Sequence, residues 1–396
     1  AGDDRVDIMK TLLSYGADIN LTCKGNRTAL GMACECGKLN AVKFLLKKGA
    51  NINVGSDPLY VLACNNWSPI SIAASFNHLK VVQLLHAKGA IMNKTENSCM
   101  GPLAAAVLHQ HLRIVKFLLS NSNADQCNDD FLFLRIADKA DEINIPIRNE
   151  IFNLVLSKGA DINQQSDGIL SSSREGATAL YLACNNGDLD MLNLLILKGA
   201  NVNLAKATGR TPLMCASCNG SIEIMLSLLS NGANIEQGDT DGYNPLYVAA
   251  CNNQIKAVEV LLSHGANINV TINDGSTPLM VASQEGYKKV CRVLIKNGAD
   301  IDATKVTDDG VVSNATLIAA ANDNGIAELL LRRSKKCASC GATAQDKGKK
   351  SLDKCSGCGV VFYCHRQCQV KHWKGGHKGE CKKLKNGNGT CSTCTQ

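Results

Sequence analysis

Apolar residues fall in short bursts at helical spacing along the first 331 residues, and each burst is punctuated in the same way. Val258, Val260, Leu261 and Leu262 form one such burst, and Gly-Ala-Asn-Ile-Asn follows it. That Gly-Ala-Asp/Asn-Ile-Asn phrase recurs with its Gly at positions 16, 49, 89, 159, 199, 232, 265 and 298, and a weaker version stands at Asn123-Ala124-Asp125. A second phrase, Thr-Pro-Leu or a relative, opens a helix at Thr28, Ser68, Gly101, Thr178, Thr211, Asn244, Thr277 and Thr316. The last three Gly intervals are 33 residues each. In the opening phrase, Thr caps the helix, Pro occupies a position whose N–H has no helical partner, and Leu enters the core. In the closing phrase, Gly supplies the left-handed residue that stops the second helix.

Thr211-Pro212-Leu213 and Gly232-Ala233-Asn234-Ile235 resemble the ankyrin repeat consensus. The resemblance implies an all-α repeat solenoid, each unit a turn and two antiparallel helices, with about ten units over residues 1–331. The first unit lacks its leading helix, and 128–151 is the divergent stretch. The family's His after Thr-Pro-Leu is replaced by Gly31, Tyr181, Met214, Tyr247 and Met280. The distance from closing Asn to opening Thr is eight residues at Asn203–Thr211, but fifteen at Asn53–Ser68, fifteen at Asn163–Thr178 and fourteen at Asp302–Thr316. These additions fall on the inter-repeat tips, where partner contact and drift in tolerated loops are both admissible. Tyr60, Arg174, Arg210, Tyr243 and Asn273 are the tip residues worth testing. Such a stack binds proteins far more often than it catalyses. The histidines at 78, 86, 109, 111 and 264 have no matched nucleophile or carboxylate pair, so each is expected to be satisfied or solvated. No phosphate-cradling Gly-x-x-x-x-Gly-Lys-Ser/Thr occurs, and there is no small-molecule substrate site to assign.

Composition adds a compartment and a charge asymmetry. No run of eighteen apolar residues occurs, so no membrane segment is expected. Eleven of the twenty cysteines are scattered before residue 332 in helical patterns, the usage of reduced core residues in an intracellular protein, whether cytoplasmic or nuclear. The opening Ala-Gly-Asp-Asp-Arg has no secretory signal and reads as a truncated start. From Arg332 to Lys385, fifteen Lys or Arg stand against three acidic residues, a formal +12 within a chain of +7.

That basic segment holds eight metal-ligand residues: Cys337, Cys340, Cys355, Cys358, Cys364, Cys368, His377 and Cys381. Thiolate and imidazole ligands serve in fours, and these spacings make two complete tetrahedral sets. Spacing alone leaves sequential and interleaved pairings open. With Tyr363 before the fifth ligand and Trp373 in the last interval, residues 337–381 look like a MYND-type zinc finger. The resemblance implies two structural Zn2+, interleaved: Cys337, Cys340, Cys364 and Cys368 on one ion, Cys355, Cys358, His377 and Cys381 on the other. Eight residues separate Cys368 from His377 where seven are usual, and Gly375-Gly376 sits in that interval. His372 competes with His377 as ligand, and the His-x3-Cys closure favours His377. Fingers of this family in several proteins bind proline-rich Pro-x-Leu-x-Pro peptides, which carries peptide contact over to Gln369 and Trp373. Trp373 plugging a small core is the equal alternative. The lysines at 371, 374, 378, 382 and 383 raise nucleic acid as a second, weaker partner. Residues 382–396 are Gly/Asn/Thr-rich, end in Cys391-x2-Cys394 and read as a disordered tail.

These features predict a non-enzymatic intracellular adaptor for protein–protein interaction. A chromatin or nucleic-acid-associated regulator using the basic finger is the alternative, and a fragment of a methyltransferase-type enzyme ranks third. Regular spacing ends the last helix at Cys337, which predicts that the finger docks on the open end of the solenoid.

Overall fold

The computed structural model describes residues 4–23, 27–55, 67–92, 100–121, 132–138, 144–166, 175–306, 312–315, 318, 326, 353–354 and 362–363. It divides into two compact units, Ala1–Asn201 and Val202–Gln396, each treated by itself. The first holds α1 (Val6–Ser14), α2 (Ala29–Glu35), α3 (Leu39–Lys47), α4 (Pro69–Ser75), α5 (Leu79–Ala87), α6 (Pro102–Leu108), α7 (Leu112–Ser120), α8 (Leu132–Asp138), α9 (Ile145–Ser157), α10 (Ala179–Asn186) and α11 (Leu189–Leu197). The second holds α12 (Pro212–Asn219), α13 (Ile222–Ser230), α14 (Pro245–Cys251), α15 (Ile255–Ser263), α16 (Pro278–Gln284) and α17 (Lys288–Lys296). Two short antiparallel ladders follow, β1 (Thr304–Val306) with β2 (Val312–Asn314) and β3 (Asp353–Lys354) with β4 (Phe362–Tyr363).

Both units are stacks of helix pairs. The first helix of each pair is seven or eight residues long and almost wholly buried: all seven residues of α4, six of seven in α6 and six of seven in α14 are inaccessible. The second helix buries one stripe, such as Ala257, Val258 and Leu261 of α15, and turns the other to water. The caps follow the expected chemistry. Thr28, Ser68, Thr178, Thr211, Asn244 and Thr277 each accept a hydrogen bond from the N–H three residues on, whereas Gly101 has no side chain to offer. Gly49, Gly232 and Gly298 stand at φ +88°, +84° and +95°, the left-handed stop.

α1 stands without a leading helix among the described residues, and its Ile8 and Leu12 and the following Tyr15 are exposed. Within 128–151, residues 132–138 and 145–151 are helical: α8 packs on α10 and the thirteen-residue α9 follows. Arg148 of α9 is fastened by an ion pair to Asp188, whose other oxygen caps α11 at Met191 N–H, 2.9 Å away. Their side chains are only 4% and 10% exposed. The expected docking of the finger on the last repeat concerns residues outside those described.

Polar residues of the closing phrase connect one repeat to the next. The first Asx folds back on the N–H two residues on, as Asn51 does with Asn53 and Asn267 with Asn269. The second reaches across to the following repeat: Asn20 Oδ1 accepts from Asn51 N–H, Asn53 from Ile91, Asn163 from Asn201, Asn203 from Asn234 and Asn269 from Asp300, all at 2.7–2.9 Å. Glu236 takes the same role toward Asn267 N–H at 2.6 Å. Asn203 also donates to Gly232 O at 3.0 Å, so Asn203→Ala removes two inter-repeat bonds at an exposed site. It should lower stability by about 1 kcal/mol in urea titration. Arg148→Ala strands the buried Asp188 and should cost about 3–5 kcal/mol by the same measurement.

Candidate functional site

Three tips in the Val202–Gln396 unit are tight turns closed by backbone bonds, Lys206 to Arg210 O at 3.1 Å, Asp239 to Tyr243 O at 2.9 Å and Ile272 to Ser276 O at 3.1 Å. Each leans on its neighbour. Thr240 N–H and Oγ1 both donate to Thr208 O at 3.2 Å, Asn273 N–H donates to Asp241 O at 3.1 Å, and Asn273 Nδ2 donates to Thr240 O at 3.0 Å. Glycine permits the close approach: a Cβ on Gly209 would lie 2.9 Å from Asp239 Cα, and one on Gly242 would lie 3.2 Å from Ile272 Cα.

Three of the tip residues singled out from sequence are therefore fixed parts of this row. Arg210 pairs with Asp239 (Nε to Oδ2, 3.8 Å), Asn273 bridges tips, and the Tyr243 ring lies 5.2 Å from that of Tyr247. Tyr60 and Arg174 lie outside the described residues. Asp274 closes the row. Burial alone would raise its carboxyl, but hydrogen bonds from Ser276 Oγ and N–H and from Lys305 outweigh this and hold it below the usual carboxylate range. Burial, aided by the Asp274 charge, pushes the Tyr247 phenol well up. Burial likewise pushes Cys291 up to about 11 and Cys34 higher still, so these thiols are inert core groups at neutral pH.

At the other end of the first helices, side chains from the next repeat complete the orphaned C-terminal carbonyls. His78 Nε2 bonds Glu35 O at 2.9 Å, His111 Nε2 bonds Ser75 O at 2.8 Å, and Gln254 Nε2 bonds Cys218 O at 2.9 Å. A carbonyl only accepts, so Nε2 carries the proton in both histidines. His264 is satisfied by Val260 O at 2.8 Å, and the His86 ring meets Phe117 edge-on at 5.6 Å while its buried Nδ1 has no hydrogen-bond partner. None of these groups belongs to a cluster that could hold a metal ion among the described residues.

Cys337, Cys340, Cys355, Cys358, Cys364, Cys368, His377, Cys381, Gln369 and Trp373 lie outside the described residues. What is described of this region is the ladder pairing Asp353 with Tyr363 and Lys354 with Phe362.

Models of known families match most of the chain. Ankyrin repeats (3 copies) match residues 1–56, 145–239 and 226–305, and ankyrin repeats (many copies) match 70–119. The chain belongs to the ankyrin-repeat family. The MYND finger model matches 337–381, so the ankyrin repeats are followed by a C-terminal MYND finger, a zinc-binding domain. Both are non-catalytic protein-interaction modules. The ankyrin repeat and KH domain-containing protein mask-1 of Caenorhabditis elegans is 30% identical over 214 residues, 53% of this chain and 7% of that protein. An ankyrin repeat protein of Fowlpox virus (strain NVSL) is 40% identical over 169 residues, 42% of this chain and 46% of that one. A glycerophosphocholine phosphodiesterase of Candida albicans is 33% identical over 115 residues, 28% of this chain and 9% of that enzyme. The chain thus spans a small part of the first of these relatives. No helix of the described residues is long and apolar enough to cross a membrane.

The inter-repeat histidines were expected from sequence only to be satisfied or solvated, and the half-buried setting of His111 adds a pH dependence. Burial lowers the His111 pKa from its ordinary 6.5, the bond to Ser75 O opposes this, and the nearby His78 lowers it further. The unfolded chain therefore takes up the proton first as pH falls below 6.5, and stability present above that pH is lost on acidification. His111→Gln, which copies the group that Gln254 uses, should flatten the decline in urea midpoint between pH 7.5 and 5.5.

Proposed function

We propose that this ankyrin-repeat chain is an intracellular adaptor: its repeat stacks hold one protein partner, and its zinc-stabilised finger engages a proline-rich peptide in the same or a second partner. The observation that carries this reading is the joining of two interaction modules in one chain, an interlocked row of tips and a finger with a complete donor set. The proposed divisions are the repeats over 1–331, the finger over 337–381 and an unstructured tail over 382–396.

Seven thiolates and one imidazole are soft and borderline donors suited to zinc, and eight of them fill two tetrahedral ions with no position left for water. We assign Cys337, Cys340, Cys364 and Cys368 to one ion and Cys355, Cys358, His377 and Cys381 to the other. Closed coordination supplies folding free energy and not catalysis, on the order of 10–16 kcal/mol of apparent binding energy per ion. Gln369 and Trp373 are the proposed peptide contacts, carried over from the likeness to the MYND family; an aromatic ring supplies apolar area for proline and leucine, and a carboxamide a donor for the peptide backbone. Scattered, inert thiols support the intracellular address.

Metal analysis of the intact chain should give two zinc ions, and Cys355→Ser should lose one. A fluorescent Pro-x-Leu-x-Pro peptide should bind the intact chain, bind Trp373→Ala at least tenfold more weakly without loss of zinc, and be released by chelator. Equal peptide affinity in Trp373→Ala would remove the peptide assignment, and a single zinc in the intact chain would remove the two-site assignment.

A further inference from the structure

In the Ala1–Asn201 unit, three neighbouring second helices present charge of one sign to water. α3 lies beside α5 and α5 beside α7. Their exposed positions keep the same register: Asn40, Lys43 and Lys47 on α3, Lys80, Gln83 and Ala87 on α5, Arg113, Lys116 and Ser120 on α7. Lys48 and Lys88 extend the row just beyond α3 and α5, and no Asp or Glu occurs on any of the three helices. Among the described residues, acidic groups stand at the borders. Glu150 of α9 ties up Lys116 at 2.6 Å, and Asp4 accepts from Ala41 N–H at 2.7 Å and from Asn40 Nδ2 at 3.1 Å. Lys43, Lys47, Lys48, Lys80, Lys88 and Arg113 make no ion pair or side-chain hydrogen bond with the described residues.

The scaffold does not require cations there. At the same register, α13 exposes Glu223, Leu226 and Ser230, and α15 exposes Lys256, Glu259 and Ser263. We propose that the α3–α5–α7 face binds the phosphate backbone of a double-stranded nucleic acid without reading its sequence.

Five of the six unpaired groups are lysines, point charges suited to phosphate, whereas the cores of protein interfaces are depleted in lysine and enriched in Tyr, Trp and Arg. The aromatic side chains on these helices, Phe44 and Phe117, are half-buried, so the face lacks the stacking platform of a single-strand binder and the apolar wedge of a membrane surface. Size agrees. Nine-residue helices about 13 Å long, spaced roughly 8–10 Å apart, spread the cations over about 20 Å. A duplex carries roughly one charge per 1.7 Å of axis, so about a dozen phosphates lie along that length and six cations neutralise half of them.

The test is anisotropy of a fluorescein-labelled 20-base-pair DNA duplex on the intact zinc-loaded chain, from about 50 to 200 mM salt, with an RNA duplex of the same length alongside to separate the two nucleic acids. The expected log–log salt slope is about −4 to −6, equal for unrelated sequences. Lys43→Glu/Lys80→Glu/Lys88→Glu should weaken binding at least tenfold and flatten the slope by about 3, and the matching Gln variant should fall between, both with unchanged urea midpoints. The same loss should appear when Lys371, Lys374 and Lys378 of the finger are already replaced by Gln. Unchanged affinity in the Glu variant, or no duplex binding at 50 mM salt, overturns the proposal. So does equal or tighter binding of phosphatidylserine vesicles or polyglutamate with the same sensitivity to these lysines, which would reassign the face to a membrane or an acidic protein.

Discussion

A helix of seven residues does not persist alone in water, and the first helices of these repeats are that short. They exist because neighbouring helices bury them on every side. Alanine makes this possible: Ala73, Ala74, Ala104, Ala105 and Ala106 in one unit and Ala216, Ala249, Ala250 and Ala282 in the other are all inaccessible, and their small side chains let adjacent helices approach closely. Larger residues such as Leu30, Ile70, Leu180 and Leu246 are buried on the same first helices. Every other feature hangs on this lateral burial, because no repeat closes a core of its own.

Close stacking leaves backbone groups at turns and helix ends that water reaches poorly, and each repeat satisfies those of its neighbour. Asn203 does so at the closing turn, Thr208 and Asn273 at the tips, and His78, His111 and Gln254 at the far ends of the first helices. Tips held in this way offer a preorganised surface, which lowers the ordering cost that a partner would otherwise impose. Arg148 with Asp188 is the buried version of the same device, set where the sequence is least repetitive.

Much of the architecture is legible in the chain because short-range chemistry writes it. The opening Thr, the Pro after it and the closing Gly act within four residues of themselves, so their spacing alone marks helix starts and stops. The MYND finger is legible for a related reason: a tetrahedral ion demands four donors, and closely spaced Cys-x2-Cys pairs mark a metal-binding module. The roles of Arg210 and Asn273 were not legible. Their partners, Asp239 and Thr240, lie about one repeat away in sequence, and a loop position carries no periodic signal that reports what lies across from it. The cationic face was equally hidden, since Lys43, Lys80 and Arg113 are dispersed among apolar residues and adjoin only when the helices stand side by side.

The sequence by itself determined the repeating unit, the caps that bound its helices and the place of the MYND finger, because each depends on residues near one another in the chain. Only the tertiary structure decided that the second Asn of the closing phrase bridges repeats, that histidines complete the helices of their neighbours, and that one face of the first unit carries a single sign of charge. Those properties arise between repeats some thirty to forty residues apart, where stacking geometry and not local preference selects the partner.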